Sequence, residues 1–276
     1  MPEKVKRERK VAATGGATKR QSAKGLTVRR LARAEDDGYD SDLLPGLRAS
    51  ADALRLAREL VISTERLEAI PAFAGDAEEA LWREFQIAVV GRSDFPVTAW
   101  FSAENPAMTE PGPRGVPADK QAVIFERHRV WAGESQLAAL TDGAVGSPEA
   151  RFDRAYERLS SSSLPRHVRL EYLLTSRYAG VLPDLEVWTP RLGDAVATDP
   201  VAIAAKRVFG IGDPLLLQRR LRAACDAAGV PVAAADLALW NWSASSEDER
   251  AYGASEPDAA RVAAAAKAFG AEPAAE

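Results

Sequence analysis

Apolar residues recur every three or four positions along most of the chain after residue 46. This spacing places them on one face of a helix, the pattern expected of helices that bury one side in a core. Only Gln121–Trp131 also fits a strand, because Val123 and Phe125 alternate there with polar residues. The sequence therefore predicts an all-α protein in which any strand is minor. The predicted helices are Leu47–Glu68, Asp76–Val90, Ser147–Leu159, Pro165–Tyr178, two helices within residues 199–228, Pro231–Trp242 and Glu256–Phe269.

Charge is distributed unevenly along the chain. Residues 1–34 hold eleven Lys or Arg against Glu3 and Glu8, a net charge of +9, so the remainder carries −13 within the total of −4. This basic segment has few apolar residues, which predicts a disordered arm. Contact with nucleic-acid phosphates suits such an arm, and a solubilising tail is the alternative. We expect a basic arm and acidic linker over residues 1–42, a helical domain over 43–245, and an acidic, alanine-rich tail over 246–276.

Composition excludes several classes of protein. No apolar run approaches the ~20 residues of a membrane span, and the N-terminus lacks the apolar core of a signal peptide. The single cysteine, Cys225, excludes an internal disulfide and a four-cysteine iron–sulfur cluster. His128 and His167 stand far apart without ligand spacing around them, so we predict neither a metal nor another cofactor. We expect a monomeric cytoplasmic protein that does not enter a membrane.

A glycine hairpin is the most informative motif. Asp199 and Asp213 each precede a proline, the pattern of a helix N-cap followed by proline at the first helical position. Between the two predicted helices runs Val208-Phe209-Gly210-Ile211-Gly212. Two glycines permit a tight reversal and a close approach of backbone to phosphate, and amides that begin a helix attract an anion. We therefore predict that Gly210, Ile211 and Gly212 contact a DNA phosphate.

This hairpin, together with Asp236, resembles the helix-hairpin-helix DNA glycosylase superfamily. In that family an invariant aspartate follows the hairpin by a helix and a short loop. Asp236 lies 26 residues after Gly210, a few more than is usual there. The chain is also similar to a branch annotated for alpha-glutamyl/putrescinyl thymine pyrophosphorylases, and to anti-phage glycosylases that remove glucosylated hydroxymethylcytosine. The resemblance covers Asp199–Trp242 and implies DNA as partner, with base flipping in DNA repair or antiviral defence.

Asp236 is the predicted catalytic residue. Cleavage of an N-glycosidic bond builds positive charge on the sugar, which a fixed carboxylate stabilises while it orients or deprotonates the attacking water. The apolar approach Val232–Ala235 is expected to hold Asp236 in a low-dielectric setting. The alternative is that Asp236 only caps the helix that follows it.

The second hairpin helix indicates which kind of glycosylase is expected. Family members that also cut the DNA backbone use a lysine at the start of this helix as an amine nucleophile. Here Asp213 is followed by Pro214 and leucines, and the helix has no lysine, so we expect a monofunctional enzyme that leaves an abasic site. Asp213 itself is unfavourable to an anion unless it caps its own helix. Arg219 and Arg220 are candidate phosphate contacts, with a solvated helix face as the alternative.

Two segments are candidates for a base pocket. Trp240, Asn241 and Trp242 offer flat surfaces and an amide for a flipped base, although tryptophan at this spacing is more often core. Ser93, Asp94 and Phe95 follow the end of a helix and offer polar groups for a base with an appendage; capping of a turn is the alternative for Ser93 and Asp94, and core packing for Phe95.

Three functions are therefore weighed. The first is a monofunctional DNA glycosylase acting on a modified base, such as a hypermodified phage pyrimidine. The second is a non-catalytic helix-hairpin-helix DNA-binding module, in which Asp236 is dispensable. The third is a helical interaction protein with no role on nucleic acid, which the acidic body permits.

Overall fold

The protein is described by a computed structural model that covers residues 44, 47, 50–100, 108–252 and 256–271. The predicted basic arm and acidic linker, residues 1–42, lie outside the described residues. Within the described ranges every regular element is helical, which confirms the all-α prediction.

Ten α-helices occur in the described ranges, joined by loops and three short 3₁₀ turns. They are α1 (Ser50–Glu68), α2 (Ala77–Val90), α3 (Ala118–Ala132), α4 (Gln136–Thr141), α5 (Pro148–Ser160), α6 (Arg166–Tyr178), α7 (Pro200–Phe209), α8 (Pro214–Ala228), α9 (Ala235–Ser243) and α10 (Ala259–Ala268). The 3₁₀ turns are Leu192–Asp194, Val232–Ala234 and Glu247–Glu249.

The helices enclose two hydrophobic cores. The first is aromatic and joins α2, α3, α5 and α6 around Trp82, Phe85 and Tyr172. The second is aliphatic and alanine-rich, and joins α1, α7, α8, α9 and α10 around Leu60 and Phe209. Because α1 also packs on α6, the two cores meet along these helices.

Local capping explains where several helices begin and end. The Asp76 carboxylate accepts from the amide of Glu78 at the start of α2, and Gly91 ends that helix in the left-handed conformation. Asp199 caps α7 by accepting from the amides of Val201 and Ala202. These caps confirm the helix starts that the sequence predicted, because an N-cap is read from a few neighbouring residues.

The predicted hairpin is present between α7 and α8. Gly210 ends α7 with φ 66° and ψ 16°, a left-handed conformation that favours glycine. Asp213 begins α8 and accepts from the amides of Leu215 and Leu216. The two helices are therefore joined by a short glycine-containing loop and contact each other, as the sequence predicted.

Four details of the structure add to or differ from the sequence prediction. The ambiguous stretch Gln121–Trp131 is helical and lies within α3, and the short helix α4 was not predicted. The residues before Asp236 form a 3₁₀ turn, so α9 begins only at Ala235. The helix predicted in the C-terminal tail, α10, packs into the second core through Ala265 and Ala266, because alanine permits a close approach to α1 and α8.

The described helices were also compared with the length and apolarity needed to cross a membrane. No single one of them satisfies both, and only α8 together with Val232–Ser243, bent by 114°, does so as a pair.

His128 is a buried titratable group in the aromatic core. Its ring stacks on Phe85, with centroids 3.6 Å apart, and Nε2 lies 3.0 Å from Oε1 of Gln136. Burial lowers the pKa of His128 to about 3, helped by repulsion from Arg129 and opposed by the Gln136 hydrogen bond. The native imidazole is therefore neutral at pH 7.

We predict that this histidine makes the fold acid-sensitive. Below pH 6.5 the unfolded chain protonates the imidazole, whereas the native chain does not until pH approaches 3, so stability declines through this window. The slope contributed by His128 approaches about 1.4 kcal/mol per pH unit. Urea unfolding followed by circular dichroism between pH 7 and pH 4.5 measures it. His128→Gln is expected to be less stable at pH 7 but to lose this part of the slope; an unchanged slope would contradict the assignment.

Candidate functional site

Asp236 lies at the centre of a buried charge cluster. The residue is only 3% exposed, and its two carboxylate oxygens are both engaged. Oδ1 accepts a hydrogen bond from Arg166 Nη1 at 2.6 Å, and Oδ2 accepts one from Arg114 Nη2. Arg166 also bonds the Asp199 carboxylate, at 2.9 Å from Nε, and the carbonyl oxygen of Pro190 at 2.7 Å. Two guanidinium groups thus balance two carboxylates.

The electrostatics of the cluster keep Asp236 ionised. Burial alone would raise the pKa of Asp236, but attraction and hydrogen bonds from Arg166 and Arg114 outweigh it, so that pKa lies below its ordinary value. The neighbouring His167 adds no positive charge, because burial and then Arg114 lower its pKa to about 4. The helix-capping alternative for Asp236 is not observed, since α9 has no side-chain cap.

A glycine-rich loop brings Arg114 to Asp236. The amides of Gly112 and Val116 donate to the carbonyl oxygens of Val90 and Val89, both at 2.8 Å, and dock the loop on the end of α2. A Cβ at Gly115 would lie 2.1 Å from the Val90 oxygen, so this position requires glycine. Among the described residues, Nε and Nη1 of Arg114 are buried without a hydrogen-bond partner.

A cleft of about 950 Å³ opens beside this cluster. Its walls include the predicted pocket residues Ser93, Asp94 and Phe95, and the loop residues Pro111–Pro113. A much smaller cavity of about 10 Å³ touches Asp236 itself, too little for more than about one water. Direct access to Asp236 is therefore closed in this structure.

The floor of the cleft is formed by a stacked arginine and tyrosine. The Arg66 guanidinium carbon lies 3.6 Å from the centroid of the Tyr252 ring, and Nη2 donates to Glu171 at 2.6 Å. Tyr252 has a φ of 63°, an unusual conformation for a residue with a side chain and one that is often found at functional sites. Arg66 lines both the cleft and the small cavity that touches Asp236, and its partner Glu171 lines the small cavity, so Arg66 lies between the two.

The second predicted segment, Trp240–Trp242, does not line the cleft. Asn241 is buried, and its amide accepts from the Ala251 amide at 2.9 Å and donates to the Ala251 carbonyl at 3.4 Å. The Trp242 indole donates to the carbonyl of Asp52 and lies in the second core. Trp240 faces the Arg114 guanidinium, 5.4 Å from its ring centroid. Trp242 and Asn241 are therefore buried structural residues and not pocket residues in this structure, because their polar atoms are already hydrogen-bonded to the backbone.

The hairpin amides divide into two groups. Asp213 caps its own helix, as predicted, by accepting from the amides of Leu215 and Leu216, so these two amides are not available to an anion. The amides of Ile211 and Gly212 make no hydrogen bond within the described ranges, and Gly210 and Gly212 are exposed. Phosphate contact would therefore use the hairpin loop rather than the helix terminus.

The two predicted arginines of α8 differ in environment. Arg220 Nη1 donates to the carbonyl of Phe209 at 2.7 Å and so fastens the end of α7 to α8, which accounts for Arg220 structurally. Arg219 lies on the exposed face. Lys206 and Arg207, which were not predicted, are exposed in the last turn of α7 next to the hairpin.

Several residues of the site were missed from sequence: Arg66, Glu84, Arg114, Arg166, Glu171 and Tyr252. Two of them carried a usable signal. Arg114 is the one cation in the run Pro-Gly-Pro-Arg-Gly, and Arg166 stands in the first turn of α6, where a helix dipole disfavours a positive charge unless an anion faces it.

Comparison with protein-family models, with curated proteins and with solved structures yields no match.

We predict that Asp236→Asn destabilises the fold by about 3–5 kcal/mol at pH 7, because two buried guanidinium groups lose their shared anion. Since the native pKa of Asp236 is below its ordinary value of 3.8, its contribution is present above pH 3.8 and is lost as pH falls further. The difference in free energy of unfolding between wild type and variant, measured with urea, is therefore expected to become smaller below that pH.

Asp142→Asn provides the matched control, because this carboxylate is largely exposed and lies 4.0 Å from Arg158. Its effect is expected to stay within about 0.5 kcal/mol. Equal effects of the two substitutions would show that the buried cluster does not hold the fold.

Proposed function

We propose that the chain is a monofunctional DNA glycosylase that hydrolyses the N-glycosidic bond of a modified base and leaves an abasic site. One observation carries this proposal: a single guanidinium, that of Arg166, bonds both Asp199, the cap of the first hairpin helix, and the ionised Asp236. These bonds hold the start of the hairpin helix and the Asp236 carboxylate in a fixed relation, which supports a role of the first on phosphate and of the second on the sugar.

The hairpin is proposed to hold the DNA backbone. The loop amides of Ile211 and Gly212 supply donors for a phosphate oxygen, and Lys206, Arg207 and Arg219 supply exposed positive charge nearby. Such contacts position DNA without reading its sequence. An acidic protein needs its cations concentrated in this way, because the net charge of the whole chain is −4.

The cleft is proposed to receive the flipped nucleotide. Its volume of about 950 Å³ is at the upper end of ordinary ligand sites, and Phe95 and Tyr252 offer aromatic faces. Ser93 and Asp94, which line the cleft, are proposed to contact an appendage on the base. From the family resemblance, a hypermodified phage pyrimidine such as glucosylated hydroxymethylcytosine is the proposed substrate, with anti-phage defence as the role.

In the proposed reaction, water attacks C1′ of the sugar while the base departs with the electron pair of the C1′–N bond. Asp236 stabilises the positive charge on the sugar and accepts the proton of the water, and a proton from solvent neutralises the base. Both Asp236 oxygens accept hydrogen bonds from arginine, so Arg114 must first turn away. With no lysine in α8, strand cleavage through an enzyme amine is not part of this scheme.

A second candidate is a non-catalytic DNA-binding module. The specific observation in its favour is that Asp236 is 3% exposed with both oxygens paired, as a purely structural carboxylate would be. The hairpin would serve the same purpose in both proteins. Base release distinguishes them.

We predict that the purified protein forms abasic sites in phage DNA carrying glucosylated hydroxymethylcytosine, counted with an aldehyde-reactive probe. Unmodified, uracil-containing, 8-oxoguanine and alkylated duplexes are assayed beside it. Asp236→Asn is expected to lower the rate at least about a hundredfold, because the developing charge on the sugar loses its anion.

Asp199→Asn is the matched variant, since it removes a partly buried carboxylate partner of the same Arg166 but keeps Asp236. Both variants are assayed at a temperature where circular dichroism shows them folded. If the protein binds DNA but releases no base from any substrate, the glycosylase proposal is wrong and the non-catalytic DNA-binding module is favoured.

We also predict that the hairpin surface sets the salt dependence of DNA binding. Lys206→Gln with Arg207→Gln is expected to reduce the slope of log K against log salt concentration by about 2, as two phosphate contacts are lost. Lys120→Gln with Arg127→Gln removes the same charge from the exposed face of α3. Equal loss of slope in the two double variants, in a fluorescence anisotropy titration, would place the DNA elsewhere.

A further inference from the structure

Glu84 of α2 presents a carboxylate to the cleft that neither the hairpin nor Asp236 accounts for. The residue is 2% exposed and lines the cleft floor. Arg83 donates to it twice, from Nε at 3.0 Å and from Nη2 at 2.6 Å, and both bonds end on the same oxygen, Oε1.

The other oxygen of Glu84 is left without a donor. Within the described ranges, Oε2 accepts no hydrogen bond, and it is not one of the sealed, unpartnered side-chain atoms. It therefore opens on the cleft. A carboxylate oxygen that is poorly solvated and unpaired costs free energy, which an N–H donor from a ligand would recover.

The surroundings of Glu84 define which ligand edge would fit. Arg66 lines the same cleft as Glu84, and the Arg66 side chain is 20% exposed, so its guanidinium brings N–H donors to the cleft that holds the carboxylate acceptor. Tyr252 stacks on Arg66, and Phe95 lies in the cleft wall. The floor thus combines an acceptor, a neighbouring donor group and aromatic surfaces for a planar ring.

We propose that Glu84 is a specificity-determining residue that selects an amino-substituted heterocycle, with cytosine as the matching pyrimidine. The cytosine edge carries the N4 amine as donor and N3 and O2 as acceptors, which complement Glu84 and Arg66 respectively. Uracil and thymine present a carbonyl oxygen where cytosine has its amine, so the carboxylate repels them. This inference rests on the proposed function in taking the cleft ligand to be a nucleobase.

The test is a titration of the full chain with free nucleosides, in which binding is measured by isothermal calorimetry. The probes are 2′-deoxycytidine and 2′-deoxyuridine, which differ at the edge that Glu84 would read. The wild type is expected to bind 2′-deoxycytidine about tenfold or more tightly than 2′-deoxyuridine, the discrimination of a well-placed polar pair. Glu84→Gln is expected to abolish or reverse this preference, because the amide can donate to the uracil carbonyl.

Glu126→Gln serves as the control, since it removes the same charge from an exposed position of α3 outside the cleft. It is expected to keep the wild-type preference. If Glu84→Gln does not fold, the preference of the wild type and its loss in Glu84→Asp decide the matter. Equal binding of the two nucleosides by the wild type, no binding of either at millimolar concentration, or an unchanged preference in the folded Glu84 variant overturns the proposal.

The titration involves no bond cleavage, so its outcome is separate from that of the base-release assay. A protein that prefers 2′-deoxycytidine but forms no abasic site in any DNA keeps the role of Glu84 and loses the glycosylase assignment. A protein that forms abasic sites but binds the two nucleosides equally keeps the glycosylase and loses the role of Glu84.

Discussion

The double ion pair of Arg166 is the constraint on which the arrangement of the helices depends. Its guanidinium bonds Asp199 at the start of α7, Asp236 in the first turn of α9 and the carbonyl of Pro190. Because Arg166 itself begins α6, one side chain fixes the starts of three helices that come from both hydrophobic cores. Burial of these charges costs free energy of desolvation. The cost is offset because both carboxylate oxygens of Asp236 bond a guanidinium group, and the bonded nitrogens of Arg166 face a carboxylate or a carbonyl oxygen.

How far the sequence could predict this arrangement depends on the distance between partners along the chain. The hairpin and its caps were predicted, because Asp199, Gly210 and Asp213 act on residues within four positions of themselves. The partners of Asp236 were not, because Arg166 and Arg114 are 70 and 122 positions away. Periodicity gives no information on such pairs. The same limit applies to Arg66 and Glu171, which only the packing of α1 on α6 brings together.

The base-pocket candidates show the same contrast. The segment Ser93–Phe95 comes shortly after Gly91, which ends α2. It leaves the helix and lines the neighbouring cleft. Trp242 and Asn241 lie within α9, which packs on α1 and α7, so their location depends on the tertiary fold. Residues that follow a helix end could therefore be assigned from sequence more safely than residues inside a helix with apolar character on all sides.

The separation between Asp236 and the cleft follows from the same network. The charges run from Asp236 through Arg114 towards Glu171, Arg66 and finally Tyr252, and Arg114 lowers the pKa of Glu171 together with Arg66 against the effect of burial. The positive charge of Arg114 therefore stabilises two carboxylates, those of Glu171 and Asp236. Arg114 is the less satisfied member of this network, because two of its buried nitrogens have no hydrogen-bond partner in the described part of the chain. The cleft and Asp236 are thus connected by a chain of neighbouring charges, which runs from Arg66 through Glu171 to Arg114, and Arg114 bonds Asp236 directly.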